Sequence, residues 1–273
     1  MSAGLDAREV NAYWGRDDLG QMILDALAAA GKDLDTLTID DTAAADQFHG
    51  GGKGTTVRLA RLAGLAPGMR VLDVGGGMGG PARTLAAEFG CDVTGLDLTE
   101  SYVRAAALLT ERLRLGDRVR HQIGNALALP FGDGLFDVVW TQNSGMNITD
   151  KESLYAGFHR VLRAGGLLAI QEPMAGPVQP PIFPQMWARE PAQSFLRAPA
   201  EMRALIERAG FRVRAWDDVT AETAGSGPGA AVPAYSIQRL VMGEALDAIT
   251  RAGQRNREEG RIVMVQAVFD QQR

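Results

Sequence analysis

The sequence is poor in cysteine and histidine, and it has no long hydrophobic run. Cys91 is its one cysteine, which excludes an intramolecular disulfide and a cysteine-cluster metal site. Residues 1–14 carry charged side chains and lack the apolar core of a secretory signal. No apolar run approaches the length that crosses a bilayer. We therefore expect a cytoplasmic protein with no dedicated metal ion and no membrane contact.

Positive charge is also scarce, because 28 Lys and Arg residues are outnumbered by 33 Asp and Glu residues. The formal net charge of −5, without a block of like charges, argues against a nucleic-acid-binding surface. Hydrophobic residues, by contrast, make up 46% of the chain, which is enough for a substantial core. We expect an enzyme whose partner is a small molecule, and this composition leaves a homo-oligomer open.

The most informative segment is 71–81, which reads Val-Leu-Asp-Val-Gly-Gly-Gly-Met-Gly-Gly-Pro. A short strand runs into a glycine cluster, and Pro81 then begins a helix, where its missing N–H costs no hydrogen bond. Glycine permits positive φ and lets a ligand approach the backbone closely. Amides at the helix start favour an anion bound in the turn. Gly75 and Gly77 thus predict a nucleotide-like cofactor, although their spacing alone does not say which one.

Short apolar strands alternate with helical segments from about residue 69 to residue 171. Strands are predicted at 69–74, 92–96, 119–123, 136–141 and 167–170, and helices at 81–89, 99–114 and 150–162. Apolar strands separated by helices are typical of a parallel sheet that is covered on both faces. Right-handed crossovers would build these units into a doubly wound α/β fold.

The flanking regions differ from this centre. Residues 1–66 are predicted to form an N-terminal helical cap, with helices at 20–30 and 55–63 joined by a polar connection over 36–47. The main domain then extends over 67–273. Within this domain, two segments interrupt the alternation of strands and helices. We expect a substrate lid at 173–198 and a helical insertion at 224–258.

The lid prediction rests on composition. Six prolines between residues 173 and 191 forbid a long helix. Met174, Trp187 and other large apolar side chains make the segment too hydrophobic for a simple linker. A long loop after the carboxyl end of a strand is where a lid would lie. Beyond it, we predict a helix at 199–210, strands at 211–216 and 262–269, and a helix at 234–252 that follows a flexible Gly-rich stretch.

Two carboxylates near the glycine turn bear on the identity of the cofactor, and one of them separates the two candidates. Asp97 ends the second predicted strand, 22 residues after Gly75 (97 − 75), where it could accept the ribose hydroxyls of NAD or of S-adenosylmethionine. Asp73 lies two residues before Gly75, close to where a ligand's ammonium group would be. A dinucleotide offers no cation there, so Asp73 favours S-adenosylmethionine. Asn125, after the third strand, can accept a hydrogen bond from an adenine amino group.

The order of these motifs resembles the class I S-adenosylmethionine-dependent methyltransferases. The resemblance covers about 100 residues and includes the glycine turn, Asp97, Asn-Ala at 125–126, Leu-Pro-Phe at 129–131 and Phe-Asp-Val-Val at 136–139. The segments 46–51 and 140–143 are most similar to small-molecule enzymes such as the sarcosine and dimethylglycine N-methyltransferases. The resemblance implies a Rossmann-like sheet of seven strands with the last strand antiparallel.

The resemblance also implies roles for individual residues around the cofactor. Its methionine part would lie against Gly75 and Gly77, its ribose against Asp97 and Leu98, its adenine against Asn125 and Ala126, and its ammonium group against the carbonyl of Gln142. Tyr13 could close over the sulfonium, because an aromatic face attracts a cation.

Catalytic candidates are few. Small-molecule relatives often carry a histidine shortly after the fourth strand, but here Met146 and Asn147 stand in that stretch. Asn147 can orient a polar acceptor but cannot take its proton. His49 and Glu172 are the alternative candidates for a base, or for a group that binds a cationic acceptor. We predict that the other two histidines, His121 and His159, lie at the surface, away from the pocket.

The acceptor is predicted to be a small metabolite, of the kind found in secondary metabolism, with an apolar part in contact with Met146, Met174 and Trp187. Methylation of nitrogen or carbon is favoured over oxygen, because the usual histidine is missing. A nucleotide-dependent oxidoreductase is an alternative that the glycine pattern permits, although no Tyr-x-x-x-Lys constellation is present. A non-catalytic protein that keeps the cofactor-binding fold is a further alternative.

Overall fold

Seven strands form one sheet in the computed structural model of the chain, which describes residues 15–16, 18–223 and 233–272. The strands are β1 (Arg70–Val74), β2 (Asp92–Asp97), β3 (Val119–Ile123), β4 (Phe136–Gln142), β5 (Leu162–Ala175), β6 (Phe211–Asp218) and β7 (Ile262–Gln271). Their order is β3-β2-β1-β4-β5-β7-β6. Strands β1 to β5 pair in parallel, and β7 is antiparallel to β5 and β6. The predicted Rossmann-like fold is confirmed.

The described residues form nine α-helices that cover this sheet. They are α1 (Leu19–Ala29), α2 (Ile39–Asp46), α3 (Gly52–Ala63), α4 (Gly80–Phe89), α5 (Glu100–Arg112), α6 (Lys151–Val161), α7 (Pro199–Arg208), α8 (Ile237–Met242) and α9 (Leu246–Glu258). Pro81 lies in the first turn of α4, and Gly90 ends that helix with φ of 69°. The Asp150 carboxylate caps α6 by accepting a hydrogen bond from Ser153 N at 2.9 Å.

Two local predictions were wrong. Helix α2 lies within the stretch predicted as a polar connection, where Thr38 and Asp41 form a reciprocal capping box. The helix has little apolar character, so hydrophobic spacing could not reveal it. The single helix predicted at 234–252 is divided into α8 and α9, because Gly243 adopts a φ of 52° that ends α8.

The core is built on both faces of the sheet. On one face, α3 and α4 pack against the central strands through Leu59, Leu85 and Trp140. On the other, α6 and α7 contribute Phe158 and Ile206 to a second buried cluster. Helix α1 packs mainly on α5. The described part of the 1–66 cap therefore contacts the 67–273 domain closely, and the division into these two units stays a prediction.

The strand order places the site. From β1 the chain crosses to β2 and β3 on one side of the sheet and then returns to β4 on the other side. Such a reversal opens a crevice beyond the carboxyl ends of the two central strands, β1 and β4. The glycine turn follows β1 at this edge, and Gln142 and the loop after it follow β4. The crevice is thus the place where a ligand is expected.

Candidate active site

A cavity of about 660 Å³ lies in this crevice. One half is lined by the glycine turn, by the ends of β2 and β3, and by the end of β4. The other half is lined by the short 3₁₀ segment Gly145–Asn147, by the lid and by one side of α9. The two halves form one continuous space. A site of this size is typical of a small-molecule pocket.

The glycine turn is fastened to the end of β2. Gly75 has φ of 73° and donates its N–H to Leu96 O at 2.8 Å. Gly77 has φ of 54° and donates its N–H to Asp97 Oδ2 at 2.9 Å. A side chain at Gly75 would meet the Ser144 side chain at 2.4 Å, whereas nothing lies within 4 Å of the corresponding position at Gly77. The turn therefore needs glycine at both positions for its conformation, and at Gly75 also for space.

Asp97 presents a carboxylate beside the turn. Its Oδ1 accepts a hydrogen bond from Thr99 N at 2.8 Å, and its Oδ2 accepts the bond from Gly77 N. Burial raises the pKa of Asp97, although these backbone bonds oppose the change. The Thr99 side chain and the Leu98 backbone also hydrogen-bond this carboxylate. Asp97 and Leu98 both line the cavity, so the geometry fits a ligand that carries two hydroxyl groups.

Asp73 lies directly under the turn and is 1% exposed. A side chain placed at Gly76 would meet Asp73 Oδ2 at 3.0 Å, and this oxygen has no hydrogen-bond partner among the described residues. Burial, and then the charge of Asp97, raise the pKa of Asp73 to about 7. Asp73 does not line the cavity. Its carboxylate can attract a cationic ligand electrostatically across the turn, but direct contact with an ammonium group stays a prediction.

Two neighbouring residues at the end of β3 close the half of the cavity that contains the glycine turn. Asn125 and Ala126 line the cavity, and Asn125 Oδ1 accepts a hydrogen bond from Leu127 N at 2.9 Å. Gly124 N donates to Asp97 O at 2.9 Å, which holds this segment against β2. The Asn125 oxygen keeps one lone pair for a ligand and its amide nitrogen keeps its donors. Both predicted adenine contacts are therefore available.

Gln142 also lines the cavity, and its side chain belongs to a buried polar network. Its Oε1 accepts hydrogen bonds from Trp140 Nε1 and from Thr56 Oγ1, each at 3.0 Å. Its Nε2 lies 3.4 Å from Gln171 Oε1. These side-chain bonds hold Gln142 rigidly at the end of β4, which would position its main chain beside a ligand.

His49 is brought to the cavity wall, but both of its ring nitrogens have neighbours. Nε2 lies 2.8 Å from Gln47 Oε1 and 3.1 Å from Thr56 Oγ1, and Nδ1 lies 3.3 Å from Gly50 O. Burial lowers the pKa of His49 to about 4, so the ring is neutral at pH 7. A neutral ring can accept a proton, but only by giving up or rearranging one of these contacts. A role for His49 as a base stays a prediction.

Asn147 joins the core of the site to the lid. Its Nδ2 donates to Trp187 O at 2.9 Å and to Gln193 O at 3.1 Å. Met146 packs against Trp187 and Ile262 in a small buried cluster. All three of the predicted residues in this group, Met146, Asn147 and Trp187, line the cavity. The Asn147 amide group, however, donates its hydrogen bonds to the lid and not to the space where an acceptor would bind.

Glu172 and Met174 do not line this cavity. Glu172 is 3% exposed and accepts hydrogen bonds from Gly145 N at 2.8 Å and Ser144 N at 3.3 Å. Burial raises its pKa, with these backbone bonds acting against the rise. Met174 is buried in the core beneath the sheet. The placement corrects the prediction that these two side chains face the acceptor, because their positions on β5 direct them into the interior.

Three comparisons with known proteins bear on this geometry. Residues 71–166 match the family model described as a methyltransferase domain. The chain is 30% identical over 208 residues to Methyltransferase GfsG of Streptomyces halstedii, an alignment that covers 75% of this chain and 74% of that protein. The chain belongs to the class I S-adenosylmethionine-dependent methyltransferases. The cofactor of this family is S-adenosylmethionine.

Other similarities are more local or concern only the fold of this methyltransferase. It is 38% identical over 114 residues to Sterol 24-C-methyltransferase ERG6B of Gibberella zeae, which covers 42% of this chain and 30% of that protein. The chain thus spans about a third of the length of that curated relative. The crystal structure of geranyl diphosphate C-methyltransferase from Streptomyces coelicolor superimposes with a TM-score of 0.71 at 20% identity, over 99% of both chains.

Several residues of the methyltransferase cavity were missed from the sequence. They include Phe48, Tyr102, Gln185, Ile249, Thr250, Gly253, Arg257 and Met264. The periodicity of α9 indicated a helix but not which side would face the site. His121 and His159 were predicted at the surface and away from the pocket; neither lines the cavity, and His121 is half-buried with its Nε2 2.8 Å from Thr110 Oγ1. His159 is half-buried against Phe211, and Tyr13 lies outside the described residues.

The described ranges also bear on membranes and metals. Within them, no helix is both long and apolar enough to cross a membrane. The same residues include no group of three or more His, Cys, Asp or Glu side chains that could hold a metal ion.

Proposed function

We propose that this methyltransferase transfers a methyl group from S-adenosylmethionine to a small acceptor molecule that is partly apolar. The observation that carries the proposal is the continuity of the cavity, which joins the glycine turn to an apolar recess under the lid. A donor bound at the turn and an acceptor bound under the lid would share one enclosed space. Such an arrangement suits direct transfer between two bound molecules.

The residues around the turn fit this cofactor. Asp97 lines the cavity beside the turn, where its carboxylate would accept hydrogen bonds from the two ribose hydroxyls. The space beside Gly77 admits the backbone approach that the methionine part requires. The Asp73 carboxyl under the turn, whose Oδ2 has no hydrogen-bond partner among the described residues, is partly ionised at neutral pH and would supply negative charge near the ammonium and sulfonium groups. Gln142, Asn125, Ala126 and Leu98 would complete the contacts.

When bound, the cofactor supplies an electrophilic methyl group on a positively charged sulfur. The chain's own residues would align the acceptor and exclude water, which together account for much of catalysis in such a transfer. Asn147 fastens the lid over the site, and Met146 and Trp187 give the recess its apolar surface. Burial lowers the pKa of His49 to about 4, which makes its ring a weak base and suits a carbon or nitrogen acceptor that needs no strong base.

The named relatives support an apolar acceptor. They include a sterol 24-C-methyltransferase, a squalene methyltransferase and a botryococcene C-methyltransferase. Their alignments are confined to about 42% of this chain, so the acceptor itself is not carried over from them. Methylation of a small apolar metabolite is the class of reaction that these names and the recess have in common.

Calorimetric titration with S-adenosylhomocysteine tests the cofactor assignment, with NAD as the parallel ligand. We expect micromolar binding of S-adenosylhomocysteine and none of NAD. Asp97→Asn should weaken the binding by about tenfold, because one charged acceptor for the ribose is lost. Asp92→Asn is the matched control, since Asp92 begins the same strand at its exposed far end beside Arg118. Binding of NAD alone, or equal affinity in both variants, would overturn the proposal.

A further inference from the structure

One wall of the recess is formed by helix α9. Its residues Ile249, Thr250, Gly253 and Arg257 line the cavity and lie on one side of the helix, as their spacing of about one turn requires. The lid forms the facing wall. Asn256 clamps the two together, because its side chain bonds Ile182 N and Ile182 O, both at 2.8 Å. Helix α9 is therefore a fixed part of the acceptor half of the cavity.

Arg257 gives this wall its charge. Of the described residues that line the cavity, it is the one with a permanent positive charge. Its side chain is half-buried, and burial lowers its pKa, whereas the adjacent Glu258 opposes that change. A guanidinium carries five N–H donors in a rigid plane, which match the oxygens of a carboxylate or a phosphate.

Gly253 leaves room beside that guanidinium. Glycine is unfavourable in a helix interior relative to alanine, so its presence four residues before Arg257 calls for a reason. A side chain built at Gly253 would lie 3.6 Å from Arg257 Nη1 and 4.0 Å from Gln185 Oε1. The missing side chain thus leaves the space next to Nη1 accessible from the cavity. A polar ligand group could occupy it in contact with the guanidinium.

We propose that the acceptor carries an oxyanion, a carboxylate or a phosphate, which Arg257 binds in the space beside Gly253. The inference rests on the proposed function, since it assigns the acceptor of the same cavity. The apolar body of the acceptor would extend from this anchor along Met146, Trp187 and Ile262. An anion fixed at one end and an apolar contact along its length would set the register of the acceptor relative to the donor.

Binding of three eight-carbon probes tests the proposal. Octanoate, octyl phosphate and 1-octanol are titrated calorimetrically into the full-length protein, first alone and then with S-adenosylhomocysteine. We expect at least one anionic probe to bind about tenfold more tightly than the alcohol. The comparison of octanoate with octyl phosphate distinguishes the two sources of negative charge. Failure of both anions to bind at millimolar concentration, or equal binding of the alcohol, would overturn the inference.

Variants on the same helix sharpen the test. Arg257→Gln should remove about tenfold of the anion's affinity and leave the alcohol unchanged, and Arg257→Lys should restore part of the loss. Arg255→Gln is the matched control, because Arg255 is exposed and pairs with Glu259 away from the cavity. Gly253→Ala should weaken anion binding while it raises the melting temperature, since alanine favours the helix.

These measurements separate the inference from the proposed function. If the wild-type protein does not bind S-adenosylhomocysteine, the proposed function is contradicted. The titrations of the three probes in the absence of S-adenosylhomocysteine would still test the role of Arg257. Normal S-adenosylhomocysteine binding with anion affinity unaffected by Arg257→Gln would refute the inference alone.

Discussion

Substitution of Gly75 and Gly77 in the turn by alanine should separate the effect on stability from the effect on cofactor binding. Gly75 and Gly77 both have positive φ, which costs a residue with a side chain about 1–2 kcal/mol. At Gly75 the new methyl group would also lie 2.4 Å from Ser144 Cβ. The Ser144 hydroxyl is bonded to Thr141 Oγ1 at 2.6 Å and lies 3.3 Å from Val74 O, so it cannot move away freely. Overpacking of this kind costs about 1–3 kcal/mol more.

The expected losses of unfolding free energy are therefore unequal. Gly75→Ala should lose roughly 2–5 kcal/mol, which is the sum of the conformational and the packing costs. Gly77→Ala should lose only about 1–2 kcal/mol, because nothing lies within 4 Å of the new methyl group. That methyl group would instead enter the space proposed for the cofactor. Gly77→Ala should accordingly stay folded and lose most of its affinity for S-adenosylhomocysteine.

Urea unfolding without ligand and calorimetry with S-adenosylhomocysteine measure the two effects separately. The double variant Gly75→Ala/Ser144→Gly removes the overlapping side chain and should recover about 1–3 kcal/mol relative to Gly75→Ala, but not the cost of positive φ. Equal destabilisation by the two single substitutions would refute the packing argument. Wild-type cofactor affinity in Gly77→Ala would refute the placement of the cofactor against this turn.

Three further substitutions follow from buried and half-buried polar groups. The pKa of Asp73 is about 7 in the folded chain and near 4 when unfolded, so the folded state binds the extra proton in this interval and stability falls as pH rises through it. With Asp73→Asn, the urea midpoint of unfolding should vary less with pH between about 4 and 7, and the free energy of unfolding at pH 8 should rise by up to about 4 kcal/mol. A pH dependence equal to that of the wild-type protein would contradict this. Arg83 pairs with the buried Asp46 carboxylate at 2.8 Å, so Arg83→Met leaves that carboxylate without its partner and should lower the free energy of unfolding in denaturant by about 3–5 kcal/mol. A decrease below about 1 kcal/mol would count against a paired buried charge. Asn147→Ala removes the bonds to the lid, so hydrogen exchange around Trp187 should accelerate and the KM of an acceptor should rise with cofactor affinity retained; unaltered exchange would show that the lid is held elsewhere.

Local patterns in the sequence determined much of the fold and of the cofactor half. The strand–glycine–proline pattern at 71–81 predicts a turn whose backbone conformations only glycine adopts easily, and the structure has these conformations at Gly75 and Gly77. Asp97 comes at the end of the next strand, and parallel strands bring their carboxyl ends to one edge. Chemistry that is confined to one turn and the adjoining strand end can be predicted because short-range geometry decides it.

The acceptor half depended on tertiary packing. Glu172 and Met174 were predicted to face the acceptor, but their side chains point into the interior, and the periodicity of α9 could not show that Arg257 and Gly253 face the cavity. Asn147 was expected to orient an acceptor, yet its donors bind the lid. Each of these outcomes depends on which distant segment packs opposite a residue. A helix or strand pattern specifies its own faces, whereas the partner of each face is chosen only when the whole chain minimises exposed apolar surface and unpaired polar groups together.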